Sequence, residues 1–293
     1  MQVLVTGISG FSGSYVARAL AASGHAVTGL YRRESPFLAQ ARAQPGISLV
    51  QAGLDNVAGL AGPFEAIVHT AATSPQPGVT DAIIMRDNLE GTTTLLAAAR
   101  RWRTERFIFF SSLSLYSDLA GPTLEENTAI VNPDVYGISK QRCELLLAES
   151  GIPGLSFRLP GVLGPGAHRN WLSGVAAKLR AGGPVEAFHL DAPFNNAAHI
   201  NDIAKLVTTL LDRSWMGFHA VVLGARGTIT VRGAIERLSR ALGVPARIIA
   251  CAPKKPHFLL SCERAITRWG YDPMEIGAMI DRYGLESRRP EVR

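Results

Sequence analysis

Thr6-Gly7-Ile8-Ser9-Gly10-Phe11-Ser12-Gly13 is the stretch that decides the fold. It follows the apolar run Val3-Leu4-Val5 and leads into Tyr15-Val16-Ala17-Arg18-Ala19-Leu20, where apolar residues recur at helical spacing. A strand, a glycine-rich turn and a helix in this order bring the unpaired N–H groups of a helix N-terminus to the turn, where they favour an anion. Gly7 serves the tight turn, Gly10 lets a phosphate approach the backbone, and Gly13 lets the helix lie close on the sheet. Ser9, Phe11 and Ser12 share this loop and are expected beside the pyrophosphate of a dinucleotide.

On either side of this stretch, short apolar runs alternate with longer amphipathic ones, the pattern of βαβ units. Strands are expected at 2–6, 26–31, 48–51, 66–70, 106–111 and 154–159, and helices at 12–23, 80–102 and 135–150. Near-continuous apolar runs such as Phe107-Ile108-Phe109-Phe110 fit parallel strands covered on both faces. Beyond Pro160 the pattern loosens into two turn-rich loops, 161–166 and 182–196, with helices at 172–181, 202–213, 231–242 and 274–283. The expected fold class is therefore α/β: a Rossmann doubly wound parallel sheet over 1–160, and a smaller mixed C-terminal substrate-binding region over 161–293, interleaved with the main sheet.

The chain has 293 residues, 47% of them apolar, enough for a substantial core. No run approaches the roughly 20 apolar residues of a membrane span, and no basic segment precedes the first apolar run, so neither a membrane nor a secretory signal is expected. A cytoplasmic setting follows, in which Cys143, Cys251 and Cys262, without metal-ligand spacing, are reduced packing residues and no metal is expected. The net charge of +6 is scattered, its densest groups being Arg288, Arg289 and Arg293 and the pair Lys254-Lys255. This is a bias toward anionic small molecules rather than a nucleic-acid surface.

Cofactor choice is read at the end of the second strand, where Val27-Thr28-Gly29-Leu30-Tyr31 gives way to Arg32-Arg33. A carboxylate there accepts from the ribose 2′-OH of NAD, whereas a guanidinium pairs with the 2′-phosphate of NADP. NADP(H) is favoured and NAD(H) stays open, since Glu34 lies one or two positions late and the arginines also suit a solvated strand end.

Tyr136-Gly137-Ile138-Ser139-Lys140 sets a phenol and an ammonium four residues apart, on one face of the expected helix. A free phenol, with a pKa near 10, is a poor acid–base group at neutral pH. A neighbouring ammonium and the charge of an oxidised nicotinamide both favour the phenolate. The lysine also suits the nicotinamide ribose. The fifth strand ends in Ser111-Ser112-Leu113-Ser114, at the carboxyl edge where such sheets hold ligands, and Ser112 is the candidate to hydrogen-bond the reacting oxygen, with Ser114 second.

Glycines spaced as Thr-Gly-x-x-Gly-x-x-Gly, followed by Tyr-x-x-x-Lys, resemble the extended short-chain dehydrogenase/reductases, and in particular the NAD(P)-dependent epimerase/dehydratase family. Val68-His69-Thr70-Ala71-Ala72 is similar to its fourth-strand motif, Asn88 with Gly91-Thr92 to its Asn-x-x-Gly-Thr, Arg158–Gly166 to its substrate-side loop and His199-Ile200-Asn201-Asp202 to its later His-Val-x-Asp element. The resemblance implies cofactor contacts at Leu54, Ala71, Ala72, Asn88, Lys140 and Leu159, and substrate contacts at Ser74, Ser114 and Gly161. The acidic residue usual after the third strand falls at Gly53 or slips to Asp55. The asparagine usual before Gly-Pro is absent from the substrate loop; Asn170, Asn195 and Asn196 are the candidates to compensate.

The resemblance further implies a nucleotide-activated sugar as substrate and a possible homodimer built through a four-helix bundle. Leu113 and Ser114 occupy the places of the acid pair that serves the family's 4,6-dehydratases, which argues against dehydration. An epimerase returns the hydride it takes, usually on NAD, whereas a reductase consumes NADPH. Arg32 and Arg33 therefore favour an NADPH-dependent reductase of a 4-keto-6-deoxy sugar, with Tyr136 donating the proton. The alternatives are an NAD-dependent nucleotide-sugar 4-epimerase, a non-sugar ketone as substrate, and a non-catalytic NADP-binding sensor. Trp102, Trp215 and Trp269 are read as packing anchors.

Overall fold

Val3, Leu4, Val5, Ile67, Phe107 and Ile108 are fully excluded from solvent, which marks their strands as the interior of a sheet covered on both faces. The computed structural model describes residues 1–118, 121–253 and 255–288; Lys254, Arg289 and Arg293, named above for their charge, lie outside them. The sheet has seven strands: β1 (Gln2–Thr6), β2 (Ala26–Tyr31), β3 (Ile47–Gln51), β4 (Ala66–His69), β5 (Arg106–Ser112), β6 (Gly154–Leu159) and β7 (Phe218–Val222). Their order is β7-β6-β5-β4-β1-β2-β3, and β1 pairs in parallel with both β2 and β4. The chain thus reverses its winding between β1 and β4, and in such sheets the crevice beyond the carboxyl ends at that point is the ligand site.

Helix α1 (Phe11–Ala22), the short α2 (Pro36–Arg42), α3 (Asp81–Trp102) and α4 (Val135–Glu149) follow strands of this sheet. Leu95, Leu96, Ala99, Cys143 and Leu147 of α3 and α4 close over Leu4, Ile67, Phe107 and Phe109. The six expected strands and three N-terminal helices are present within a residue at most ends. Additional elements include α2, 3-10 turns at Leu54–Gly59 and Leu113–Leu115, and β7. Trp102 packs edge-on against Phe64 at 4.9 Å, and Trp215 and Trp269 are buried, as packing residues should be.

The chain divides into two compact units. The first comprises Met1–Asp118, Ala129–Arg158 and Ala204–Val221; the remaining described residues form the second. In the second unit, α5 (Trp171–Arg180) precedes α6 (Ile200–Leu211), which runs on into the first unit; α7 (Val231–Leu242), α8 (Glu263–Trp269) and α9 (Ile276–Glu286) follow. Its core joins Leu172, Val175, Leu179, Ile235, Leu238, Met279 and Ile280. The two stretches expected as loops carry short strands instead: Gly161–Leu163 pairs with Ala197–His199, Val185–Ala187 with Ile248–Ala250, and Pro193–Phe194 with Ile229–Thr230. Each is two or three residues long and finds its partner far along the chain, so local periodicity carries no trace of it.

Candidate active site

The glycine loop opens the cleft. Gly7 sits at φ +73° and its N–H donates to Leu30 O at 2.9 Å, turning the chain off β1. A Cβ on Gly13 would fall 2.3 Å from Gly7 O and 2.7 Å from Thr70 Oγ1, so only glycine lets α1 lie this close to β1 and β4. Gly10 is the N-cap of α1 without a side-chain cap, and the first-turn N–H groups stay available to an anion.

A cavity of about 620 Å³ adjoins this loop, lined by Gly7, Ser9, Gly10, Arg32, Arg33, Leu54, Ala71, Ala72 and Asn88 among the expected cofactor residues. Asp55, Thr73, Asp87 and Glu90 line it too. A cradle that a single Cβ would fill, an uncapped helix start and two guanidinium groups suit a phosphorylated dinucleotide. Phe11 is buried, with its ring against Tyr15 and Phe37, and Ser12 lies in the first turn of α1. Ser74 comes one residue after the lining segment that ends at Thr73.

The carboxylates near the arginines are partly occupied. Glu34 accepts from Arg42 at 2.6 Å, and that hydrogen bond holds its carboxyl below the usual range. Asp87 accepts from Arg86 at 2.7 Å and from Thr73 Oγ1 at 3.0 Å. Partial burial opposes its charge, but these bonds and the charge of Arg32 outweigh it and hold the carboxyl low. Ser35 Oγ donates to Ser9 O at 2.7 Å, tying the segment after Arg33 to the glycine loop.

Tyr136 and Lys140 stand on α4, whose N-cap Asp134 accepts from Gly137 N at 2.7 Å. Tyr136 is partly exposed, while Lys140 is buried with Nζ donating to Phe110 O at 2.7 Å and lying 5.6 Å from the Tyr136 ring centroid. Ser112 caps a 3-10 turn, accepting from Ser114 N at 3.1 Å and donating to Ser114 Oγ at 3.1 Å. A Cβ on Gly137 would fall 2.1 Å from Ser114 O. This glycine, between the tyrosine and the lysine, therefore allows the serine turn to close against α4, a role that spacing alone did not reveal. One turn after Lys140, Glu144 accepts from Arg158 at 2.7 Å, and Arg158 also donates to Tyr116 Oη. A buried guanidinium thus joins α4, β6 and the turn that carries the serines.

Several expected ligand residues have their side chains taken up by the fold. Asn88 lines the cleft, but its amide accepts from Thr73 N (2.7 Å) and donates to Thr73 O (3.0 Å) and Ser139 Oγ (2.9 Å). It clamps the cleft wall to the helix bearing the tyrosine. In the second unit, Asn170 caps α5, accepting from Ser173 N at 2.9 Å and donating to Val162 O at 3.0 Å. Asn195 is buried and clips Leu260, donating to its carbonyl and accepting from its N–H, both at 2.8 Å. A buried amide must satisfy its own donors and acceptor, and the backbone does so at these positions. Asn196 keeps a buried Oδ1 without a hydrogen bond, Gly161 begins the strand paired with Ala197–His199, and Leu159 begins a segment of the second unit. No helix among the described residues is long and apolar enough to cross a membrane.

The model of the NAD dependent epimerase/dehydratase family matches residues 3–224. A dTDP-4-dehydro-6-deoxy-D-allose reductase from a Streptomyces species is 28% identical over 286 residues, covering 84% of this chain and 87% of that protein. The Bordetella bronchiseptica enzyme WbmH, solved with NAD+, superposes with a TM-score of 0.85 at 21% identity over 99% of both chains. A UDP-glucuronic acid 4-epimerase from Bacillus cereus, solved with NAD, gives 0.84 at 20% identity over 98% of both.

Proposed function

This chain belongs to the NAD-dependent epimerase/dehydratase family, and we propose that it is an NADPH-dependent reductase of a keto group on a nucleotide-activated sugar. The observation that carries the reading is the pair Arg32 and Arg33 in the cleft at the end of β2, with Glu34 beside them held by Arg42. Two guanidinium groups favour a 2′-phosphate, which a free carboxylate would repel. Similarity to a reductase of a 4-dehydro-6-deoxy sugar over most of the chain supports that substrate class, and Leu113 and Ser114 leave no acid pair for dehydration.

The bound cofactor supplies the hydride. Within the first unit, Tyr136 gives its phenolic proton to the carbonyl oxygen as that oxygen becomes a hydroxyl, and Ser112 donates a hydrogen bond to the same oxygen. Lys140, buried one turn from Tyr136, supplies the charge that favours the phenolate left behind. A second reading, an NAD-dependent 4-epimerase, draws on Asp55, Asp87 and Glu90 in the same cleft, any of which suits a ribose hydroxyl.

Calorimetry with NADPH and NADH on the wild type and on Arg32→Ala separates these. A charge-assisted hydrogen bond contributes about 1.5–3 kcal/mol, so the wild type should prefer NADPH by roughly 10- to 100-fold and the variant should lose most of that preference. Tighter binding of NADH, or protein purified with NAD bound, would favour the epimerase.

A further inference from the structure

Behind the cleft wall, a buried line of side chains connects β1, β4, α3 and α4. Ala71 N–H meets Thr6 Oγ1 at 3.3 Å, and Thr6 Oγ1 lies 2.7 Å from His69 Nδ1. On the other side of the ring, His69 Nε2 lies 3.2 Å from Thr92 Oγ1, Thr92 donates to Cys143 Sγ at 3.3 Å, and Cys143 reaches Asn88 O at 3.4 Å.

The carbonyl end fixes the direction of the line. A backbone N–H only donates and a backbone carbonyl only accepts. Asn88 O therefore takes the Cys143 S–H, Cys143 takes the Thr92 O–H, and Thr92 takes an Nε2–H from His69. From the other end, Ala71 N–H donates to Thr6, whose hydroxyl donates to a bare Nδ1. The Asn88 end thus sets the neutral Nε2–H tautomer, and the bare Nδ1 that it leaves takes the Thr6 hydroxyl proton. Burial, with the charge of Lys140, pushes the His69 pKa down to about 3, and burial raises that of the Cys143 thiol, so every proton in the line stays where this scheme needs it.

The line ends at the wall of the cofactor cleft, beside the glycine loop. Thr70 Oγ1 donates to Thr6 O at 2.7 Å, and a Cβ on Gly7 would fall 2.8 Å from the Ala71 backbone. The Thr70–Ala71 peptide therefore packs directly on the glycine loop, and any drift of one displaces the other.

We infer that His69 is a positioning residue for the dinucleotide: through Thr6 it fixes the Thr70–Ala71 backbone against the phosphate loop, without touching the cofactor. The inference rests on the reading of this cleft as a dinucleotide site. It is tested by measuring affinity and melting temperature together, with whichever of NADPH and NAD the wild type binds more tightly. His69→Leu removes both hydrogen bonds and strands the Thr92 and Thr6 hydroxyls, and should weaken cofactor binding about 10-fold. His69→Gln, whose amide keeps one donor and one acceptor, should recover part of the loss. Thr92→Val, which keeps the branched shape and removes the hydroxyl, should weaken binding about 3-fold and serves if His69→Leu does not fold. A lower melting temperature with unchanged affinity in Thr92→Val and His69→Leu would make the line a stability element and overturn the inference. A wild type that binds neither dinucleotide would overturn the cofactor reading itself.

Discussion

Tyr136→Phe is expected to lose at least about 100-fold in kcat while binding NADPH as the wild type does. The ring in the first turn of α4 is retained, as is Lys140 with its bond to Phe110 O, so the fold and the cofactor cleft should be left intact. Only the phenolic proton goes. Ser112 remains as a hydrogen-bond donor, but an aliphatic hydroxyl is a far weaker acid than a phenol and does not replace it as the proton source. Single-turnover kinetics and calorimetry on the same preparation read the two quantities separately. Undiminished turnover would remove Tyr136 from the chemistry. Absence of turnover in the wild type and the variant alike, with NADPH still bound by both, would favour the sensor reading.

Gly13→Ala should have the second largest effect, and on a different quantity. The added methyl meets the backbone oxygen of Gly7 at 2.3 Å and Thr70 Oγ1 at 2.7 Å. Neither is the end of a flexible side chain free to swing away, since Thr70 Oγ1 is bonded to Thr6 O. The loop or the N-terminus of α1 must shift, at a cost of about 1–3 kcal/mol in stability. The same shift moves the first-turn N–H groups that the proposed cofactor site offers to a pyrophosphate, and NADPH affinity should fall by roughly 100-fold. Gly10→Ala supplies the control: its Cβ meets only Gly7 O, at 3.2 Å, so stability should hold while binding suffers from the methyl at the phosphate. Urea denaturation and calorimetry distinguish the pair, and equal stability of Gly13→Ala and wild type would contradict the packing described for this loop.

The central sheet was legible because each parallel strand is an apolar run bounded by turns, and the long helices because their apolar residues recur at helical spacing. What escaped reading has a common physical basis. The seven-residue α2 is too short for a period to establish itself, and the two- and three-residue strands of the second unit exist only through partners tens of residues away. In the site, Tyr136 and Lys140 could be read because they share one helix face. The contact of Gly137 with Ser114, and the line from Thr6 through His69 to Cys143, depend on elements brought together by the fold. Asn170 and Asn195 show the converse limit of residue type. An amide in a loop has the chemistry of a ligand contact, but residue type does not reveal whether the backbone already occupies it.

The reductase account stands most directly on stoichiometry. The purified protein, mixed with NADPH and a dTDP-linked 4-keto-6-deoxy sugar, should oxidise NADPH mole for mole with the reduced sugar formed, and should form none without NADPH. Interconversion of two sugars that differ only at C4, with no net consumption of NADPH, would contradict it and make the protein an epimerase.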